Sequence, residues 1–143
     1  MKIFSENDKT TLMTEDNYYL TVDGSGNLVL LDEQHTNDPV LWTVKVVTGG
    51  YQFYQTIKKV NYYLDGITSR NELGLAPNPN GIYTGASWTC AQTKSSGGTA
   101  GTLVMVCLGA EAGDRVLYAC GRSNSFKLVK DIGMILLSYS IQN

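Results

Sequence analysis

Residues 17–30 read Asn17-Tyr18-Tyr19-Leu20-Thr21-Val22-Asp23-Gly24-Ser25-Gly26-Asn27-Leu28-Val29-Leu30. Tyr, Thr, Val and Leu favour a pleated, half-buried surface, and Asp23-Gly24 is a strong turn dipeptide, so the stretch reads as two short strands joined by a turn. Its opening returns: Asn61-Tyr62-Tyr63-Leu64 repeats the first four residues 44 positions further on. The apolar pair Leu28/Leu30 returns as Leu73/Leu75, with one extra residue in the turn. A weaker third copy is Val116-Leu117-Tyr118 followed by Phe126-Lys127-Leu128, where Tyr118 and Phe126 keep the spacing of Leu20 and Leu28.

Each copy leads into another strand. These are Val40-Leu41-Trp42-Thr43-Val44-Lys45-Val46, then Ala86-Ser87-Trp88-Thr89-Cys90, then Ile135-Leu136-Leu137-Ser138-Tyr139-Ser140-Ile141, with Leu137 where a tryptophan stands in the first two. The tryptophans are 46 residues apart and Leu137 lies 49 beyond Trp88. Periods of this length mark a stacked or rotationally repeated architecture. Each repeat offers about four strands, giving twelve, and no amphipathic helical segment interrupts them. Three four-stranded units can close on one another, bury a common core and remove exposed sheet edges. The expected fold class is therefore all-β, a β-trefoil with pseudo-threefold symmetry relating Tyr19, Tyr63 and Leu117. One domain spans 1–143, with repeats at approximately 11–49, 50–100 and 101–143. A three-bladed propeller is the formal alternative, but propellers generally need four or more blades.

Composition agrees with this frame. A chain of 143 residues is one domain by length and can bury a good core. Fifteen glycines and nine tyrosines suit a turn-rich β protein. Only 17% of residues are charged, the net charge is −2, and the sole adjacent basic pair is Lys58-Lys59. Nucleic acid and other polyanions need a clustered basic surface, so they are not expected partners. No apolar run reaches the length of a membrane span, so no membrane insertion is expected. The first residues carry no apolar h-region, and the expected location is cytoplasmic, or outside the cell after release without a classical signal peptide. Cys90, Cys107 and Cys120 have no metal-like spacing and read as buried or half-buried thiols.

In chain order, Leu12 and Met13 are the first expected inward pair. Residues 32–38 form a polar loop closed by Pro39, Gly49-Gly50 marks a turn, and residues 51–57 alternate as a strand. Residues 76–81, with two prolines, exclude regular structure, and residues 93–101 read as an exposed, glycine-rich loop. The apolar run 102–108 reads as a strand because of its β-branched residues and flanking glycines.

The order Tyr-Leu-x-x-Asp-Gly, Leu-x-Leu, a polar loop and Leu-Trp-Thr-Val resembles the ricin-B-type (R-type) β-trefoil lectins, and among them the small fungal lectin-like members. The resemblance runs from about Leu12 to Ile141. The family's Gln-x-Trp is represented here by Val40-Leu41-Trp42, Ala86-Ser87-Trp88 and Ile135-Leu136-Leu137. The resemblance implies a non-catalytic carbohydrate-binding protein with one or few shallow sites, whose partners are glycans or glycoproteins. In such sites an aspartate accepts hydrogen bonds from vicinal hydroxyls and an aromatic ring stacks on the pyranose.

Carried over residue by residue, the aspartate falls on Asp23, followed by Gly24. Repeat two has Ile67 or Thr68 there, and repeat three has Gly121. The loop 32–38 is expected to face the same site, with His35 as its planar ring and Asn37 or Asp38 as the second polar contact. Tyr83 is the loop aromatic of repeat two, with Asn78 and Asn80 nearby. Each has a plainer reading: Asp23 as a turn former, His35 and Tyr83 as ordinary loop side chains, and Trp42 and Trp88 as core. Tyr18/Tyr19 and Tyr62/Tyr63 point to opposite faces by strand geometry.

No enzyme is expected. The single histidine has no identifiable nucleophile beside it, and Asp32-Glu33 does not define a glycosidase pair. No phosphate loop or metal cluster is visible, so no cofactor is expected. The alternative is a protein-interaction trefoil, either a protease inhibitor using residues 77–81 or 93–101 or a lectin-like partner subunit of an enzyme. A protein partner or a homo-oligomer would then take the place of the glycan.

Overall fold

The computed structural model describes residues 2–14, 17–35, 39–66, 73–81, 83–95, 99–109, 115–119, 127–131 and 135–142. At 35, 94–95, 115–119, 127–131 and 135–136 the description is of the backbone. The fold is all-β. The strands are β1 (Lys9–Met13), β2 (Tyr18–Val22), β3 (Leu28–Asp32), β4 (Trp42–Val47), β5 (Gly50–Ile57), β6 (Val60–Asp65), β7 (Gly74–Pro77), β8 (Trp88–Ser95), β9 (Ala100–Cys107), β10 (Arg115–Ala119), β11 (Lys127–Asp131) and β12 (Ile135–Gln142). Two short 3-10 turns, Glu33–His35 and Thr84–Ala86, are the helical elements among the described residues.

All pairings between these strands are antiparallel. β1 pairs with β4, β4 with β5, β5 with β8, β8 with β9, β9 with β12, and β12 returns to β1. Six strands therefore close a ring, which leaves them no open lateral edge. The other six form hairpins: β2–β3, β6–β7 and β10–β11. Their registers place Leu20 opposite Leu30, Leu64 opposite Leu75, and Tyr118 opposite Leu128. The first two hairpins join the ring through β1 and β5, while β10–β11 forms a separate two-stranded sheet.

The ring is filled by alternate residues. Along β9 the buried positions are Gly101, Leu103, Met105 and Cys107, the period-2 pattern of a strand with one face in the core. Trp42 and Trp88 are fully buried, and Leu137 is 1% exposed. Each indole N–H needs an acceptor once it leaves water. Trp42 Nε1 donates to the Leu20 carbonyl at 2.9 Å, and Trp88 Nε1 to the Leu64 carbonyl at 3.0 Å. Leu20 and Leu64 each follow a Tyr-Tyr pair, so the repeated sequence makes the same contact twice. Tyr18 and Tyr62 pack against the core, and the second tyrosine of each pair takes the opposite strand face.

The expectation that residues 76–81 exclude regular structure fails at their start: Ala76 and Pro77 pair with Tyr63 and Tyr62 at the edge of the sheet as the end of β7. Two further features differ from the sequence expectation. The first inward aromatic is Phe4, 1% exposed, ahead of Leu12. Its ring meets Tyr51, Phe53 and Tyr139 edge-on, at centroid distances of 5.3, 5.5 and 5.4 Å. The segment carrying it is held by Asn7 N–H donating to the Val44 carbonyl and Val44 N–H donating to the Asp8 carbonyl. The second difference is in residues 93–101, where β8 runs on to Ser95 and β9 starts at Ala100. A register shift between Gln92 and Lys94 lets the ladder continue past the bulge.

Truncating a buried large aromatic costs about 3–5 kcal/mol. Phe4→Ala and Trp88→Ala should each fall in that range in urea melts. A loss below about 1 kcal/mol for Phe4→Ala would mean that the N-terminal segment is not part of the folded core.

Candidate functional site

Asp23 opens the five-residue connection between β2 and β3. Its amide donates to the Asn27 carbonyl at 2.9 Å, and the Gly26 amide donates back to the Asp23 carbonyl at 3.1 Å. The carboxylate caps the same turn: Oδ1 accepts from the Ser25 and Asn27 amides, both at 2.9 Å. Such local capping is what short acidic side chains do in turns. The Asn27 amide, and after it that of Ser25, hold the carboxyl below its ordinary range, so it is ionised at neutral pH. The left-handed position of the turn is Gly26, at φ +81°, and not Gly24, around which there is open space.

Gly26 also packs against the next repeat. A Cβ there would stand 2.7 Å from the Tyr62 hydroxyl oxygen, so glycine alone allows the ring so close. Beneath the turn, Gln55 Oε1 accepts from Thr21 Oγ1 at 3.1 Å and from the Val22 amide at 3.0 Å. The tip of the first hairpin is thus fixed by β5 and β6. Tyr62 and Gln55 escaped the sequence reading because these contacts cross from one repeat to the next and leave no local spacing signal.

Residues 32–35, the described part of the loop 32–38, do not adjoin Asp23. The β2–β3 ladder runs from Val22 opposite Leu28 to Tyr18 opposite Asp32. Four strand steps of about 3.4 Å therefore separate the two ends of the hairpin by about 14 Å. Asp23 lies at one end. Asp32 lies at the other, with Oδ1 accepting from the Gln34 amide at 2.9 Å. His35 closes the 3-10 turn at this far end. Glu33 is close enough to Tyr19 to add to the upward push that burial gives its phenol. Asn37 and Asp38 lie outside the described residues, as do Ile67, Thr68 and Gly121.

Tyr83 is committed elsewhere. Its hydroxyl lies 2.9 and 3.0 Å from Oδ1 and Oδ2 of Asp65, to which it donates, and Asp65 is 6% exposed. A side chain at Gly85 would collide with the Tyr83 ring, so that glycine lets the ring lie down on the loop. Gly66 N–H donates to the Gly85 carbonyl at 2.9 Å, and the Cys107 thiol donates to the same oxygen at 3.3 Å. Burial first, then the Asp65 hydrogen bond, pushes the Tyr83 phenol up to about 12. Asn78 is likewise engaged, exchanging hydrogen bonds with the Asn61 backbone.

Among the described residues, no three His, Cys, Asp or Glu side chains are placed to hold a metal ion, and no helix is long and apolar enough to cross a membrane. No protein-family model and no curated protein matches the chain.

Removing the Tyr83 hydroxyl deprives a buried carboxylate of a donor. Tyr83→Phe should cost about 1–3 kcal/mol in denaturant melts at pH 7. A phenol that ionises near 10 in the unfolded chain and near 12 in the folded one contributes stability below pH 10 that is lost as pH rises through 12. The gap between wild type and Tyr83→Phe should therefore narrow from pH 10 to 12. A constant gap across that window would show that the phenol ionises alike in both states.

Proposed function

We propose that the chain is a non-catalytic β-trefoil that binds carbohydrate weakly at the tip of its first hairpin. The trefoil reading is supported by the closed six-stranded ring, its three hairpins, and the equivalent bonds from Trp42 to Leu20 and Trp88 to Leu64. The observation that carries the binding reading is the state of Asp23. It is ionised and stands at an exposed turn. Two backbone amides fix Oδ1, and the Asn27 side chain adds a further hydrogen bond to the carboxylate. A carboxylate oriented in advance accepts hydrogen bonds from sugar hydroxyls without first being ordered. Tyr62 supplies a half-exposed ring beside it, in the role first assigned to His35.

One shallow site of this kind should bind with a dissociation constant of about 0.1–1 mM, and multivalent display would be needed for avidity. Asp23→Ala removes the acceptor for two turn amides and so disturbs the site along with the charge. Asp23→Asn is the cleaner variant, because its side-chain oxygen still accepts from Ser25 and Asn27. A glycan array should identify a ligand, and titration calorimetry should then show at least about tenfold weaker binding by Asp23→Asn, at an unchanged melting temperature. Undiminished binding by that variant would move the site off the first hairpin. Failure of the unmutated protein to bind any glycan would leave the protein-interaction trefoil as the better reading.

A further inference from the structure

A second concave surface lies on the ring itself, away from the hairpin tip. Lys2, Phe4, Val46, Val47, Gly49, Gly50, Tyr51, Thr89 and Cys90 enclose a cleft of about 340 Å³. Its size falls within the range of small-molecule sites, which are mostly apolar with a few placed polar groups. The β4–β5 turn leaves the space open. Gly49 sits at φ +84°, and a side chain at Gly50 would run into the Trp88 carbonyl, so two successive positions carry no side chain. Tyr51, half-buried, is the aromatic side chain at the surface of the cleft, and the buried Phe4 ring backs it edge-on at 5.3 Å.

The far side is Cys90. Burial pushes its thiol up to about 12, so at neutral pH it is an uncharged apolar surface and not a nucleophile. Four large apolar side chains stand out as exposed among the described residues. Val46, at 43%, lines this cleft, and Leu108, at 39%, extends toward Gly49. Lys2 is the cationic residue among the lining groups. Glu6, on the same segment, is not among the lining groups; its Oε1 accepts from the Val46 amide at 2.8 Å.

We propose that this cleft is a binding site for a small amphipathic anion, an aromatic or aliphatic carboxylate whose apolar body lies between Tyr51 and Val46 and whose charge faces Lys2. It is independent of the carbohydrate reading, since it shares no residue with the Asp23 turn.

Titration of the protein with 3-phenylpropionate, followed by amide resonances in ¹H–¹⁵N spectra, tests it. Saturable shifts should concentrate on Gly49, Gly50, Tyr51, Thr89 and Cys90. The neutral counterpart 3-phenylpropanol should shift the same amides with a weaker constant. Lys2→Ala should weaken the carboxylate about two- to fivefold, as expected of an exposed ion pair, and leave the alcohol unchanged. Val46→Trp, at an exposed position that the fold tolerates, should fill the cleft and weaken both ligands at least about tenfold. Shifts scattered over the surface, or undiminished binding by Val46→Trp, would overturn the site. Equal binding of acid and alcohol, or no effect of Lys2→Ala, would overturn its preference for an anion.

Discussion

The indole N–H of a buried tryptophan has to find an oxygen, and the rest of this structure is arranged around where it finds one. Trp42 and Trp88 start ring strands, and both reach the carbonyl of the leucine that follows a Tyr-Tyr pair in a hairpin. The bond itself adds little net stability, but leaving the donor unpaired in the core would cost about 1–3 kcal/mol. The hairpin is therefore held to the ring by a polar group that tolerates few alternative positions. In the third repeat Leu137 stands in place of the tryptophan and has no donor to offer. Among the described residues, its hairpin, β10–β11, is also the one that shares no ladder with the ring.

Close approach of backbone and aromatic ring is the second recurring device. Tyr62 lies against Gly26, Tyr83 against Gly85, and Trp88 against Gly66. In each case a β-carbon would fall inside the ring's van der Waals surface. Glycine loses the most conformational freedom on folding, so its repeated use beside rings is a cost offset only by the packing it permits. Tyrosine gives these contacts a further use, since its hydroxyl reaches polar groups that the apolar part could not satisfy. The Tyr83–Asp65 pair shows this most directly.

The strands were legible because their evidence is local or periodic: alternation along residues 51–57, the apolar run 102–108, and the recurrence of Tyr-Tyr-Leu. Phe4 was not, because a lone aromatic in a polar segment carries no period. The extension of β8 to Ser95 was hidden by the serines and glycines in the sequence there, and the bulge that lets the ladder continue falls between Gln92 and Lys94. For the site, the turn role of Asp23 could be read from its neighbours, whereas its companion Tyr62 could not, being 39 residues away and in the next repeat. The expectation that His35 lies beside Asp23 came with the lectin resemblance. A five-residue ladder puts the two at opposite ends of one hairpin.

Strand β5 shows how two surfaces coexist on so small a framework. Gly50 and Tyr51 at its start line the cleft, and Gln55 near its end carries the Asp23 turn through Thr21 and Val22. Between them Gln52 is fixed by Ser87 and Phe53 by Phe4, so the strand is held by both its faces. A strand restrained in this way positions both surfaces. Coupling between sites requires an element with two states. On β5 such an element would have to include Gln52 and Phe53, whose contacts to Ser87 and Phe4 lie between the cleft and the hairpin tip.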